Sequence, residues 1–310
     1  MQNDVQNDTQ YDDEIDLREL FMVLWAGKIK IMAITAVFAV ASVIYALSVP
    51  NQYKATALLA PAQSSGGGLS GALGQLGGLA SLAGVSIGGG ESSEAQIAQE
   101  IMKSWSYIEG FIDDNDLAVE LAAVQGWSKG SNELQINDSV YDTENKQWLA
   151  ENEAGETGPP SSWNLFKTFS GRLAVSEDKN SGLVSVSIEY YSPLIAKQWV
   201  DMYVESINRF MQQRQVDKVT KNIAYLQEQI GKTSIAEMRE VFYTIIEEQT
   251  KSKMLAEASP DYAFVAVGPS MVPEQTSQPK RALMCILGTL LGGMLSVLLV
   301  LIMHYARKSD

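Results

Sequence analysis

The chain has 310 residues with 46% apolar side chains and a formal net charge of −14. This length suits one large domain or two small ones, and the acidic balance argues against nucleic-acid binding because phosphate contacts require a basic surface. The single cysteine, Cys285, and the single histidine, His304, lie in the same C-terminal apolar segment. The sequence therefore predicts no zinc site, no intrachain disulfide and no Cys–His pair, and we assign no catalytic, cofactor-binding or metal-binding residue.

Two apolar segments decide the class of protein. Ile31–Val49 and Ala282–Met303 carry no charged side chain, and each is close to the roughly 20 residues with which a helix crosses a hydrocarbon core of about 30 Å. A buried helix of a soluble protein is the alternative, but both segments are apolar on all sides and flanked by charge. Ala46-Leu47-Ser48 fits a signal-peptide cleavage site, yet the long acidic segment before the first span argues against cleavage. We therefore predict two transmembrane helices.

The basic residues predict the orientation of these spans. Arg18, Lys28 and Lys30 precede the first span, and Arg307 and Lys308 follow the second, so both termini are expected in the cytoplasm. The segment between the spans is then one large external domain. The predicted organisation is a cytoplasmic tail (1–30), a first span (31–49), an external domain (50–281), a second span (282–305) and a short cytoplasmic tail (306–310).

The external domain combines predicted strands with helices. Apolar residues alternate with mainly polar ones along Leu183–Tyr190, which predicts a half-buried strand. Residues 53–60, 173–176 and 264–267 predict further short strands, whereas the polar segment 126–160 is expected to be a loop. The predicted fold class is an α+β membrane protein whose two spans flank a small membrane-proximal α/β base.

One very long, protruding helix completes this fold and is predicted from Leu194 to about Ala258. Ser192-Pro193 is a helix start signal, and the segment contains no proline and a single glycine, Gly231. A helix of about 60 residues is about 90 Å long, so one compact domain cannot bury its apolar stripe. We expect the stripe to contact neighbouring subunits; the candidate interface residues are Ile223, Leu226, Ile230, Met238 and Phe242.

A glycine-rich segment, residues 64–90, contains leucines three or four residues apart. Its Gly66–Gly71 portion matches the dinucleotide fingerprint G-x-G-x-x-G, but the strand–turn–helix context that this fingerprint requires is missing from the predicted elements. Glycine weakens a helix by up to about 1 kcal/mol per residue relative to alanine. We interpret the segment as mobile and apolar, becoming ordered against a neighbouring subunit or a membrane surface.

The second span contains Gly288-x-x-x-Gly292, with Gly293 beside it. This spacing allows two membrane helices to approach closely, although glycines also occur in membrane helices by chance. Before the span, Pro269, Pro273 and Pro279 predict a stiff, extended connection. These six residues are candidates for helix packing or for contact with a partner protein.

Taken together, these segments resemble the Wzz chain-length determinants, which are polysaccharide co-polymerases of Gram-negative inner membranes. The resemblance covers nearly the whole chain. It is carried by Ile15-Asp16-Leu17 through Leu24-Trp25 and Lys28, and by the strand-to-helix junction SGLVSVSIEYYSPLIAKQWVD. The long-helix sequence IAYLQEQIGKTSIAEMREVFYTIIEEQTKSKMLAE and the second-span region PSMVPEQTSQPKRALMCILGTLLGGML complete it.

The resemblance implies a protein that is not an enzyme and needs no cofactor. It implies a ring-like homo-oligomer whose external domain is periplasmic and which sets the modal length of lipopolysaccharide O-antigen. The implied partners are further copies of the chain, the O-antigen polymerase, the growing lipid-linked polysaccharide and inner-membrane lipid, and no nucleic acid.

Two alternative functions are weighed against this one. Capsule or exopolysaccharide co-polymerases work with a cytoplasmic tyrosine kinase, which here would have to be a separate protein because only residues 306–310 follow the second span. A two-span sensor would need a cytoplasmic output domain, for which the two tails are too short.

Overall fold

The computed structural model describes residues 17–62 and 90–308. The glycine-rich segment lies outside the described residues apart from Gly90, so the interpretation of that segment stays a prediction. The described chain forms two compact units, one made of the residues up to Pro50 and from Gln278 onward, the other of Asn51–Ser277.

Helices and strands alternate irregularly along the described chain, as is typical of α+β proteins. The helices are α1 (Leu17–Ala26), α2 (Lys28–Ser48), α3 (Gly90–Lys103), α4 (Trp105–Asp114), α5 (Ala118–Ala122), α6 (Ser162–Arg172), α7 (Pro193–Lys232), α8 (Ala236–Glu257) and α9 (Arg281–Lys308). The strands are β1 (Gln52–Pro61), β2 (Val124–Ser128), β3 (Glu133–Ile136), β4 (Tyr141–Asp142), β5 (Gln147–Trp148), β6 (Leu173–Glu177), β7 (Val184–Tyr190), β8 (Phe264–Gly268) and β9 (Thr276–Gln278).

The first unit contains the two described helices that are long and apolar enough to cross a membrane. They are α2, with 21 residues, and the segment Arg281–His304 of α9, with 24 residues. Most of their apolar side chains are exposed in the single chain, which is expected of helices that face lipid rather than a protein core. The predicted fold class, an α+β membrane protein with two such helices and a long helix between them, is confirmed.

The second unit is built on a sheet with the strand order β6-β7-β1-β8, in which neighbouring strands are antiparallel. Strand β9 also pairs with β1. In the register of β1 and β7, Ala57 lies opposite Val186 and Leu59 lies opposite Val184. All four side chains are buried, so one face of the central strands forms the floor of the core. The alternation read in Leu183–Tyr190 therefore identified the strand and its inner face correctly.

An aromatic cluster fills the core above this floor. Tyr203 of α7 contacts Phe111 and Phe169 with ring centroids 4.8 and 5.5 Å apart, and Trp199 lies 4.4 Å from Tyr190. The Tyr190 hydroxyl donates to the Glu120 carbonyl oxygen at 2.8 Å. Since these rings come from α4, α6, α7 and β7, the cluster joins the helices to the sheet and stabilises the unit mainly through apolar burial.

The segment 126–160 is not a simple loop, and that prediction was wrong. It contains most of the β2–β3 hairpin and the short β4–β5 hairpin. Asn132 and Lys146 adopt positive φ values of 57° and 52°, in the left-handed region that Asn tolerates better than most residues. Trp127 and Trp148 contact Tyr53 and Tyr141 edge to face, so aromatic pairs support hairpins that are too short to show a hydrophobic period.

A long helix is present, but its predicted extent to Ala258 is corrected. Helix α7 ends at Lys232, and Thr233 has an extended backbone with φ −94° and ψ 134°. Helix α8 then packs back along α7, and the Gln212 side chain of α7 donates to the Ala256 carbonyl oxygen at 2.9 Å. The two helices form a hairpin because folding back buries apolar side chains that one continuous helix would expose.

Glu153 gives this unit a testable pH dependence. Its carboxylate accepts a hydrogen bond from the Ser161 backbone N–H at 2.9 Å and another from the Asn164 side chain. These hydrogen bonds lower the pKa of Glu153 to about 2, and the bond from the Ser161 backbone N–H has the largest effect. A depressed pKa stabilises the folded state above the unfolded pKa, and this contribution is lost as the pH falls toward the folded value.

We therefore expect Glu153→Gln to lower the melting temperature at pH 7, and this difference from the original protein to shrink between about pH 4.5 and pH 2. Thermal unfolding of the detergent-solubilised chain across this range is the measurement. Glu133→Gln, at an exposed position of β3, is the matched control. A difference for Glu153→Gln that stays constant down to pH 2 contradicts the prediction.

Candidate functional site

The predicted glycine motif lies where α2 and α9 pack against each other. A methyl group built at Gly288 would be 2.5 Å from the Ser42 Cβ, and one at Gly292 would be 2.4 Å from the Phe38 Cβ. Carbon atoms normally approach to about 3.5–4.0 Å, so only glycine fits at these two positions in this packing. The adjacent Gly293 differs, because its nearest neighbour is the Thr35 Oγ1 at 4.0 Å.

A polar contact accompanies this close packing. Thr35 Oγ1 lies 3.3 Å from Ser296 Oγ, and Ser296 is fully buried. Ser296 also donates to the Gly293 carbonyl oxygen at 2.7 Å, which leaves the Thr35 hydroxyl as the donor to Ser296. Arg281 donates from its Nε to the Ala46 carbonyl oxygen at 3.1 Å. Hydrogen bonds of this kind hold membrane helices in one register.

The sequence left open whether the glycine face packs on the first span or on another protein. In the structure, Gly288 and Gly292 face α2 of the same chain. Their surfaces are therefore already covered within one subunit. The role of this packing in function stays a proposal.

The three candidate prolines occupy the connection before α9. Pro269 and Pro273 lie in irregular backbone between β8 and β9, and Pro279 lies just before α9. Ser270 between them is buried and its hydroxyl donates to the Asp201 carboxylate, while the Ser277 hydroxyl donates to the Gln52 carbonyl oxygen at 3.2 Å. Proline fixes φ and removes a backbone donor, which suits a segment that is held by side-chain contacts instead of a ladder.

Of the five candidate interface residues of the long helix, four are half-buried in the hairpin and one, Met238, is exposed. Ile223, Leu226 and Ile230 are half-buried and continue the helical face of the buried Val219. Phe242 is half-buried on α8, and Met238, near the hairpin turn, is 42% exposed. Packing between α7 and α8 accounts for the burial of the half-buried residues. Contact of the five residues with a neighbouring subunit therefore stays a proposal.

Other apolar residues are more exposed on the outer side of the hairpin. Tyr225 is 62% exposed, Tyr243 60% and Met254 64%. Tyr243 and Met254 are eleven residues apart in α8, which is close to three helical turns, so they share one face. This outer face was not identified from the sequence, since its apolar residues are interspersed with Glu240, Glu247 and Thr250.

Two amides missed by the sequence reasoning hold the second unit together. Asn208 is buried in α7; its Oδ1 accepts from the backbone N–H groups of Ala263 and Phe264 at 2.9 and 2.8 Å, and its Nδ2 donates to the Phe264 carbonyl oxygen at 2.8 Å. Gln212, one turn later, donates to carbonyl oxygens at the end of α8 and just beyond it, including that of Ser259 at 3.1 Å. The sequence shows only an amide next to the inward-facing Ile207, which does not identify the backbone groups that Asn208 bonds.

Three tyrosines of the core have pKa values that are shifted by burial. Burial raises the pKa of Tyr107, Tyr190 and Tyr203 above the usual tyrosine range, so these hydroxyls stay protonated and act as hydrogen-bond donors. Within residues 17–62 and 90–308, no group of three or more His, Cys, Asp or Glu side chains is placed to hold a metal ion.

The fold and these contacts define a class: an α+β protein in which two helices of membrane-spanning length, packed through glycine, precede and follow a sheet-and-helix unit in the sequence. Residues 13–115 match the family model described as Wzz, chain length determinant protein. This match includes α1, α2, β1 and the helices α3 and α4. The match confirms the resemblance to the chain-length determinants over these residues.

Solved structures of polysaccharide co-polymerases are among those similar to this chain. A full-length bacterial polysaccharide co-polymerase has 15% sequence identity and a TM-score of 0.41, with coverage of 95% of this chain and 99% of that one. A fragment of WzzB from Salmonella Typhimurium has 12% identity and a TM-score of 0.29, with coverage of 74% and 100%. These TM-scores are low, so no residue is carried over from either structure. No curated protein matches the chain significantly.

Proposed function

We propose that the chain is a non-enzymatic regulator of polysaccharide chain length and that its polymer is lipopolysaccharide O-antigen. The observation that carries chain-length control is the family match over residues 13–115, which contains the first membrane helix and the start of the second unit. O-antigen as the polymer rests on the sequence resemblance. The growing lipid-linked polysaccharide and the O-antigen polymerase are the proposed partners.

The proposed topology places both termini in the cytoplasm and Asn51–Ser277 in the periplasm of a bacterial inner membrane. Lys28 and Lys30 are exposed at the start of α2, and Arg307 and Lys308 are at the end of α9. Basic residues near span ends favour the cytoplasmic side. An accessibility assay on single cysteines introduced near Lys28 and in the β2–β3 hairpin, in a Cys285→Ser background, tests this orientation.

The proposed working state is a ring-like homo-oligomer. The α7–α8 hairpin supplies the support for it, because Tyr225, Tyr243 and Met254 are exposed on its outer side. A pair of helices with apolar residues on inner and outer sides is typical of a structure that packs against further helices. A subunit on each side of the hairpin would cover these residues.

The chain-length function is tested in a strain that lacks this protein and its relatives. We expect the deletion strain to produce lipopolysaccharide of unregulated length and the complemented strain to regain one modal length on a silver-stained gel. An unchanged lipopolysaccharide ladder with altered capsule or exopolysaccharide length would contradict O-antigen as the polymer and favour the alternative, a co-polymerase that works with a separate kinase.

If the proposed oligomer forms through the outer face of α8, charged side chains placed on that face should weaken the association of subunits strongly. We expect the double variant Tyr243→Glu/Met254→Glu to raise the dissociation constant between subunits by about tenfold or more, because charges buried at an interface without partners are costly. Light scattering of the detergent-solubilised protein measures the mass. Thr244→Glu, one residue away and exposed, is the control. Equal masses for all three proteins contradict a contact through this face.

A further inference from the structure

A groove lies in the first unit, beside α1, between the start of α2 and the end of α9. It has a volume of about 500 Å³ and is lined by Met22, Val23, Lys30, Val300, Met303 and His304, with Ala26 and Gly27 between α1 and α2. Its apolar walls come from Met22, Val23, Val300 and Met303, and its polar surface includes Lys30 of α2 and His304 of α9. Of the described side chains that line it, none is acidic.

The groove exists because α1 packs against α9 at one point and not along its length. Val23 and Val300 are buried there, and a methyl group built at Gly27 would be 2.5 Å from Val300 Cγ1. Gly27 also joins α1 to α2, since its N–H donates to the Val23 carbonyl oxygen at 2.9 Å and its own carbonyl oxygen accepts from Ile31 at 3.0 Å. The close approach at Gly27 therefore fixes the groove beside it.

The aromatic and basic side chains beside the groove are of the kind found at the surface of a bilayer. Phe21 and Trp25 of α1 are 65% and 63% exposed and their rings stack with centroids 6.0 Å apart. The Lys28 Nζ lies 4.7 Å from the Trp25 ring centroid. Exposed tryptophan next to lysine, on a short amphipathic helix that leads into a span, is typical of the headgroup level.

We propose that this groove binds one anionic glycerophospholipid. The apolar walls of Met22, Val300 and Met303 suit the upper part of an acyl chain, and the Lys30 ammonium, exposed at the polar end, suits the phosphate. A basic pocket between membrane helices, at headgroup depth, is the arrangement that recognises anionic lipid. The proposal depends on the membrane insertion of α2 and α9, and it is independent of the chain-length function.

The charge of Lys30 favours this occupant over a zwitterionic lipid. Phosphatidylcholine brings its own cation to the headgroup, so the Lys30 charge gains less from it than from phosphatidylglycerol. Basic side chains near a bilayer contribute about 1 kcal/mol each to anionic lipid binding, which corresponds to about a fivefold change in affinity. The bound lipid would link α1 to α9 across the groove.

Native mass spectrometry of the full chain in mild detergent tests the proposal, with phosphatidylglycerol and phosphatidylcholine of identical acyl chains as probes. We expect one phosphatidylglycerol to bind at least about fivefold more tightly than phosphatidylcholine. Lys30→Gln should lower phosphatidylglycerol affinity about fivefold and leave phosphatidylcholine unchanged, while Lys30→Arg should retain the preference. Lys280→Gln, just before the opposite end of α9 and exposed, is the charge-matched control and should change neither affinity.

Three outcomes overturn the proposal. Equal affinity for the two lipids shows that the groove does not distinguish lipids by headgroup charge. An equal loss for Lys30→Gln and Lys280→Gln shows that lipid follows net charge and not this site. Complete displacement of phosphatidylglycerol by millimolar inorganic phosphate shows an anion site without lipid specificity.

Discussion

Replacing Asn208 by leucine is expected to lower the free energy of unfolding of the Asn51–Ser277 unit by about 3 kcal/mol or more. Leucine is close to asparagine in size, so the loss comes from hydrogen bonding. The substitution leaves the backbone N–H groups of Ala263 and Phe264 and the Phe264 carbonyl oxygen without the partner they have now. Each buried polar group left unpaired costs about 1–3 kcal/mol, and Ala263 and Phe264 are both buried.

Two further variants separate this explanation from a general effect of mutating α7. Asn208→Asp retains the acceptor for both N–H groups but places a buried carboxylate against the Phe264 carbonyl oxygen, so we expect a loss at neutral pH that becomes smaller at acidic pH, where the protonated carboxyl can donate. Asn222→Leu makes the same change at an exposed position of α7, where substitutions usually stay within about 0.5 kcal/mol. Chemical denaturation of the solubilised chain, followed by tryptophan fluorescence, measures all three. An Asn208→Leu variant as stable as Asn222→Leu would show that β8 is positioned by other contacts.

The importance of Asn208 was not predictable from its neighbours in the sequence. Its partners lie 55 and 56 residues further along the chain, after the whole α7–α8 hairpin. A sequence shows that an amide stands among inward-facing residues, but it does not show which backbone groups need a partner. The strand in Leu183–Tyr190 was predictable for the opposite reason, because its signal is local and repeats every two residues.

The hairpin was missed because the chain provides no strong helix breaker at the turn. Thr233-Ser234-Ile235 contains neither proline nor glycine, and intrinsic propensities differ by less than about 1 kcal/mol among such residues. Tertiary packing decides in that situation. The inner faces of α7 and α8, around Val219 and Ala256, are both buried, so folding back outweighs the cost of interrupting the helix.

The glycines of α9 show which features of helix packing a local sequence motif predicts and which it does not. Gly288 and Gly292 are four residues apart, a spacing that puts both on one side of the helix. The motif contained no information about the partner, which is Ser42 and Phe38 of α2. Sequence reasoning also treated Gly293 as equivalent to them, whereas the structure gives it room for a side chain.

That difference between glycines provides the second large prediction. We expect Gly288→Ala and Gly292→Ala to force α2 and α9 apart by about 1 Å, because the new methyl groups must move from about 2.5 Å to at least about 3.5 Å from Ser42 and Phe38. The leucine variants at the same positions should separate the helices further. Gly293→Ala, with its nearest neighbour 4.0 Å away, is the matched control and should leave the packing unchanged.

Disulfide formation between α2 and α9 measures the packing directly. Thr35→Cys and Ser296→Cys, in a Cys285→Ser background, place two thiols where the hydroxyl oxygens are now 3.3 Å apart. We expect rapid crosslinking in this protein and in its Gly293→Ala derivative. Crosslinking should be slow with alanine and nearly lost with leucine at Gly288 or Gly292, since a disulfide requires closely spaced Cβ atoms.

The same variants connect packing to the proposed function. If the paired helices transmit the arrangement of the external unit to the polymerase, then Gly288→Leu and Gly292→Leu should insert normally but produce a lipopolysaccharide ladder without a modal length. The Met294 side chain is 63% exposed, so Met294→Leu is the leucine control and should keep the ladder. Lost crosslinking with an unchanged ladder would mean that the spans only anchor the protein, and that length control resides in the Asn51–Ser277 unit. Lost crosslinking together with a lost ladder, at normal expression, would assign the close contact of α2 and α9 a direct part in setting polymer length.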